Sequence, residues 1–449
     1  MIVLKDKSIL KTVIKMSAPA MAESFFTSFT NFVDSYMVSS LGASAVAAVA
    51  LTNQPKFFSL SAFIAMNISA SALVARRNGE KNKDGANGIL VTGLAMIFVL
   101  VGFISTLMVV FASPIIKFCG STVETHSDAV TYFRIIVGCM VFQCIQMFIN
   151  AAQRGAGNTK ITMRTNFVSN SVNIVFNFLL INGRFGFPAL GIRGAAIATV
   201  LGTVAAAVMS VLSIMKHECF VSIPYIIANK IKPGLASLKS IIKVGYSIFF
   251  EQMLMRAGMM STALMAANQG MAAMAAHQVG MNLLNLTFSF GDGLQAAAVA
   301  LIGRSMGEDN IPLARKYGSK CQFVGGVISI FIAITYFLSS RSIMSMMFKE
   351  TEIINIGVSL IYIIIPVVLV QVRQTVYMGC LRGAGDTAYT AMVSMISVTF
   401  VRTAISYICC YPLKMGIQGV WMGILADQVI RFACGGVRFK KEKWINIKI

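Results

Sequence analysis

Charge is scarce in this 449-residue sequence. Asp, Glu, Lys and Arg make up 12% of it, acidic residues number 17, and there are three histidines. A soluble chain of this length needs far more charge to cover its surface, which excludes an ordinary soluble globule. The nine cysteines are scattered and none shows C-x-x-C spacing, so they read as small buried hydrophobes rather than a zinc or redox site. His126, His217 and His277 lie far apart, which gives a metal site no local support. A Walker-type G-x-x-x-x-G-K-[ST] is missing, as is H-E-x-x-H, so neither a nucleotide-driven pump nor an intramembrane metallopeptidase is indicated. No repeated filter motif marks a channel. The chain is expected not to be an enzyme and to need no cofactor.

What it has in abundance is apolar length. Hydrophobic residues make up 56% and the mean hydropathy is +0.75. A membrane-crossing helix needs about 20 apolar residues. Twelve such runs are expected, at about 12–40, 44–74, 85–113, 125–152, 160–182, 190–215, 240–268, 270–302, 314–340, 351–379, 387–411 and 415–436. The fold class is therefore an all-α, polytopic membrane protein. The first run is too long for the apolar core of a signal peptide, and no cleavable one is expected. The net charge of +21 gathers at alternate connections, from Lys5, Lys7, Lys11 and Lys15 to Lys216, Lys440 and Lys448. That asymmetry predicts cytoplasmic termini and explains the charge without nucleic acid. A multi-pass protein of the cell membrane follows, with the bilayer as its main partner.

The chain repeats itself at an offset of 228 residues. "ARRNGEKN" (75–82) matches "GRSMGEDN" (303–310), and "QRGAGNT" (153–159) matches "LRGAGDT" (381–387). The expected division is an N-terminal six-helix lobe over 1–216, a cytoplasmic connector over 217–240 and a C-terminal lobe over 241–449. Two homologous lobes imply pseudo-symmetric bundles and alternating access by rocking. Each Gly-rich block reads as a tight helix–helix turn, with Asn158 or Asp386 capping the next helix.

"NFVDSYMVSSLGASAVAA", "RGAGNT" followed by "NSVNIVFNFLLI", "FFEQ", "AAHQVGMN" and "LRGAGDT", in this order and spacing, carry a resemblance. The sequence resembles the multidrug and toxic compound extrusion (MATE) family over essentially its whole length. The resemblance implies a monomeric twelve-helix, two-lobed exporter that exchanges amphiphilic drugs or metabolites, cations among them, for inward-moving Na+ or H+. A flippase of lipid-linked precursors, built on a related two-lobed fold, is the alternative.

A charge at the bilayer centre costs about 2.5–3.5 kcal/mol, so each one implies a partner or a wet cavity. The resemblance places Asp34 in an N-lobe cation or proton site with Asn173, Asn177 and Thr199 as companions. Asn173 and Asn177 are four residues apart and share a helix face, and carboxylate, amide and hydroxyl oxygens suit a hard cation. Asp34, Asn173 and Asn177 are the ligands expected if that ion is sodium. Glu23 aligns with Glu251 at the repeat offset. Glu23 is open to an ion pair with Lys56 or to a transport role. In the C lobe the resemblance points to Glu251, and Gln278, Asn282, Gln371 and Gln374 complete the expected substrate or proton set. Arg256, Arg373 and Arg402 either neutralise Glu251, Asp292 and Asp427 or receive an anionic or zwitterionic substrate. Asp427 and Arg431 are expected to pair across one helical turn. His277 is expected to be a hydrogen-bonded structural residue.

Overall fold

The computed structural model describes residues 2–215, 219–348, 350–445 and 447; Lys216, His217 and Lys448 lie outside them. Among the described residues all regular structure is helical. Twelve long segments follow one another: α1 Ile2–Ser39, α2 Ala43–Gly79, α3 Lys83–Val110, α4 Val123–Gly138 with Met140–Gly155, α5 Thr159–Leu180 and α6 Ile192–Ile214. After the connector come α7 Leu235–Ala267, α8 Met271–Gly307, α9 Ile311–Met347, α10 Thr351–Gly383, α11 Thr387–Cys410 and α12 Ile417–Lys440. The two parts of α4 bend by 46° at Cys139. Within α11, residues Ile396–Val401 form a π-helical turn.

By length and hydropathy eight described helices can cross a membrane, or nine with the bent α4 as one span. Helices α1, α5 and α7 are not among them, and the reason is chemical. They carry Glu23 and Asp34, Asn173 and Asn177, and Glu251 and Arg256 respectively. These least apolar helices hold Asp34, its two asparagine companions and Glu251.

The repeat is visible in the backbone. Left-handed conformations recur at the same offset: Gly42 (φ 102) and Gly270 (φ 97), Lys81 (φ 56) and Asp309 (φ 52), Gly157 (φ 93) and Gly385 (φ 96). Asn82 and Asn310 cap α3 and α9 alike, accepting from the amides of Gly85 and Leu313. The RGAG blocks are tight turns as expected, since only a residue without a Cβ takes such φ values without strain. The capping expectation fails: neither Asn158 nor Asp386 makes a side-chain cap bond. Asp386 instead accepts from Arg438 at 2.8 Å, because a guanidinium outcompetes a backbone amide for a carboxylate.

Packing divides the chain into two compact units, Phe25–Lys243 and Val244–Ile449 with Met1–Ser24. In the second unit Val13 is fully buried in one core cluster with Leu294, Ala298, Val372 and Val376. A second cluster there gathers Leu360, Ile364, Val367 and Trp421. In the first unit the connector is stitched to α3. Asn87 donates to the Phe220 carbonyl at 3.1 Å and accepts from the Ser222 amide at 2.9 Å, and Thr92 accepts from Gly234. The Tyr225 hydroxyl donates to Asp84 at 2.8 Å, which holds its phenol above the usual range.

Candidate functional site

Two glycines bring α5 and α6 together. A Cβ on Gly194 would lie 2.5 Å from the Leu180 carbonyl, and one on Gly202 would lie 2.6 Å from that of Ser169. Small residues two turns apart let membrane helices approach closely. Asn173 and Thr199 therefore meet across the contact, one turn from Gly202.

Asp34 of α1 completes the group. The Asn177 amide, 1% exposed, donates to Asp34 Oδ1 at 2.7 Å. With its nitrogen facing the carboxylate, the orientation its partners require, the Asn173 amide donates to Asp34 Oδ1 and Oδ2 at 2.6 and 3.1 Å. Its oxygen then accepts from Thr199 Oγ1 and N at 3.2 and 3.3 Å. The single Thr199 hydroxyl proton is shared between that oxygen and the Ala195 carbonyl, 3.0 Å away. All four residues singled out from the sequence are thus in one network. Two members were not foreseen. Tyr132 of α4 lies beside Thr199, within the field of the Asp34 carboxylate. Lys56, beside Pro55 in α2, has Asp34 as an electrostatic partner. A lone tyrosine in an apolar run looks like core, and only the fold brings it to the carboxylate.

The second unit treats its carboxylates differently. Glu251, 1% exposed, accepts two bonds from Arg382 Nη2, at 2.6 and 2.8 Å. Arg382, which was not singled out from the sequence, is thus a cation bonded to Glu251, because the RGAG turn directs it inward against α7. Asp427 is fully buried and paired with both Arg402 and Arg431. Those two pairings are as expected. Gln278 and Asn282 lie on one exposed face of α8, whereas Gln371 and Gln374 are buried in α10, joined through Thr375. The hydrogen bonds do not gather these glutamines and Asn282 with Glu251 into one network. His277 packs edge-on against Trp421 at 5.5 Å with no hydrogen-bond partner for Nδ1, so its hydrogen-bonded role is not seen at that atom. "GRSMG" (303–307) has the G-x-S-x-G spacing of a nucleophile elbow, but Ser305 is 1% exposed inside α8 and donates to the Leu301 carbonyl.

The MatE family profile matches residues 19–179 and 247–408. The chain belongs to the MATE family. It is 26% identical over 438 residues to the probable multidrug resistance protein NorM of Thermotoga maritima, covering 97% of this chain and 93% of that one. It is 22% identical to the uncharacterized transporter YisQ of Bacillus subtilis, over 97% and 95% of the two chains. Its fold matches a MOP-superfamily transporter from Pyrococcus furiosus, described as having a binding pocket of reverse polarity. The TM-score there is 0.90 at 20% identity, over 97% of this chain and 96% of that one. The all-α fold of twelve membrane helices in two six-helix bundles is that of the family.

Proposed function

We propose that this chain is a secondary active antiporter of the cell membrane, exporting amphiphilic compounds in exchange for Na+ or H+. Asp34 carries the coupling ion. The observation that supports this most is the way Asp34 is held. Neutral amides solvate its carboxylate, and amides can turn when a small cation or proton arrives. Asn177 Oδ1 is buried without a hydrogen-bond partner beside it, an oxygen suited to a hard cation. Asp34 itself, Asn177 Oδ1 and Thr199 Oγ1 supply the first ligands when sodium is the transported ion, and turning the Asn173 amide adds its oxygen.

Membership of the family and the NorM likeness support export, and the likeness to the Pyrococcus transporter supports leaving the sign of the substrate charge open. The basic connections support cytoplasmic termini, and a monomer working by alternating access is the simplest form. The family match lends nothing to the flippase alternative. The test is dye efflux from proteoliposomes with sodium and proton gradients imposed separately. One gradient drives efflux, and Asp34→Asn abolishes it. Equal efflux by the variant, or none under either gradient, would sink the reading.

A further inference from the structure

The carboxylates of the C-terminal spans are outnumbered. Arg256, Arg373, Arg382, Arg402 and Arg431 stand against Glu251, Asp292 and Asp427. The Glu251–Arg382 pair is neutral, but the Arg402–Asp427–Arg431 triad keeps one positive charge in the core. Gln371, two residues before Arg373 in α10, is buried and uncharged.

Arg373 stands apart from the other arginines. It lies ten residues, about 15 Å along the helix, from the Gly383 end of α10. Among the described residues it has no carboxylate partner. Its guanidinium lies 5.0 Å above the Phe432 ring, and Phe432 packs on Tyr377 at 5.6 Å. Its Nε is buried without an acceptor, yet the residue as a whole is partly exposed. The Arg373 carbonyl accepts from Gln322 at 2.8 Å, which fixes the backbone from the α9 side. A guanidinium held over an aromatic ring, deep in a span and without an acid among the described residues, is prepared for an anion from outside the unit.

We infer that Arg373 is the specificity-determining residue for an anionic group, carboxylate or sulfonate, on the exported amphiphile. The substrates of this chain are then anionic or zwitterionic rather than purely cationic, with Phe432 and Tyr377 offering an aromatic surface beside the charge. This rests on the exporter reading. The same chemistry would also hold an anionic phospholipid headgroup.

The experiment is fluorescence anisotropy on the full chain in neutral detergent. Its probes are carboxyfluorescein, cationic rhodamine 6G, and phosphatidylglycerol as competitor. Arg373→Gln weakens carboxyfluorescein binding about tenfold or more, and Arg373→Lys weakens it less. Rhodamine 6G binding and the melting temperature stay unchanged. Three results overturn the inference: tight carboxyfluorescein binding by Arg373→Gln, a lowered melting temperature with binding intact, or loss of phosphatidylglycerol competition alone. Dye binding that follows Arg373, in a protein that moves nothing under any gradient, sinks the exporter reading while the anion site stands.

Discussion

The N-terminal unit and the C-terminal unit each bury a carboxylate among helices, and they neutralise it by opposite means. Asp34 receives amide N–H groups from Asn173 and Asn177, at 2.6 and 2.7 Å, with the Lys56 charge acting on it from α2. Asp427 is clamped by Arg402 and Arg431 from α11 and α12. Amide dipoles stabilise an anion without cancelling its charge, so a passing cation can still be drawn in. Two tethered guanidiniums cancel it outright and leave a surplus. The same group is thus held by amides in one unit and clamped by guanidiniums in the other.

The sharpest way to break this comparison is to neutralise each carboxylate in turn. Asp427→Asn leaves two buried guanidiniums short of their acid and is expected to cost about 3–5 kcal/mol of stability, read by unfolding in detergent. Asp34→Asn keeps the shape and part of the amide network, so it costs less than about 1 kcal/mol while abolishing gradient-driven efflux. Equal destabilisation by both would erase the distinction.

Gly202→Val tests the helix contact beneath the first site. Its side chain meets the Ser169 carbonyl, and overpacking of this kind costs about 1–3 kcal/mol. Efflux should lose its ion dependence along with the lost stability, and a variant of unchanged melting temperature would show that the contact is not needed. Asn177→Ala removes one amide donor and should raise the ion concentration for half-maximal efflux by about tenfold. The smallest effect lies outside the membrane. Tyr225 donates to Asp84, which favours the neutral phenol, so Asp84→Asn should bring its titration down toward that of a free tyrosine. An ultraviolet pH titration reads this directly, with efflux unchanged.

The spans and the repeat were legible because apolar length and a constant offset are one-dimensional signals. Asp34 was legible because a charge is expensive in a membrane, and Asn173, Asn177 and Thr199 because the family resemblance names them as its companions. Arg382 was not. In "LRGAGDT" it reads as turn chemistry, and only the helix ends show it reaching Glu251 rather than the cytoplasm. Tyr132 and the Asp386–Arg438 pair were hidden for the same reason, since their partners lie on distant helices. The π turn had no signal either, because "ISVTFV" is an ordinary β-branched run.

That turn shifts the register between the two halves of the gene product. A π turn absorbs one additional residue while keeping the faces on either side aligned. At its start, Ser169 and Ser397 correspond at 228, and each touches the next helix, at Gly202 and at Asp427. After it the step is 229, Leu180 answering to Cys409, and across the shorter loop that follows it is 225, since Gly194 packs on Leu180 and Gly419 on Cys409. Counted this way, the counterpart of Asn173 is not Val401 but Arg402, and the place of bare Gly202 is taken by Asp427. One added residue, a shorter loop and two replacements separate the amide-held carboxylate of one unit from the arginine-paired carboxylate of the other. The C-terminal unit carries, in Arg402, a cation it never has to import.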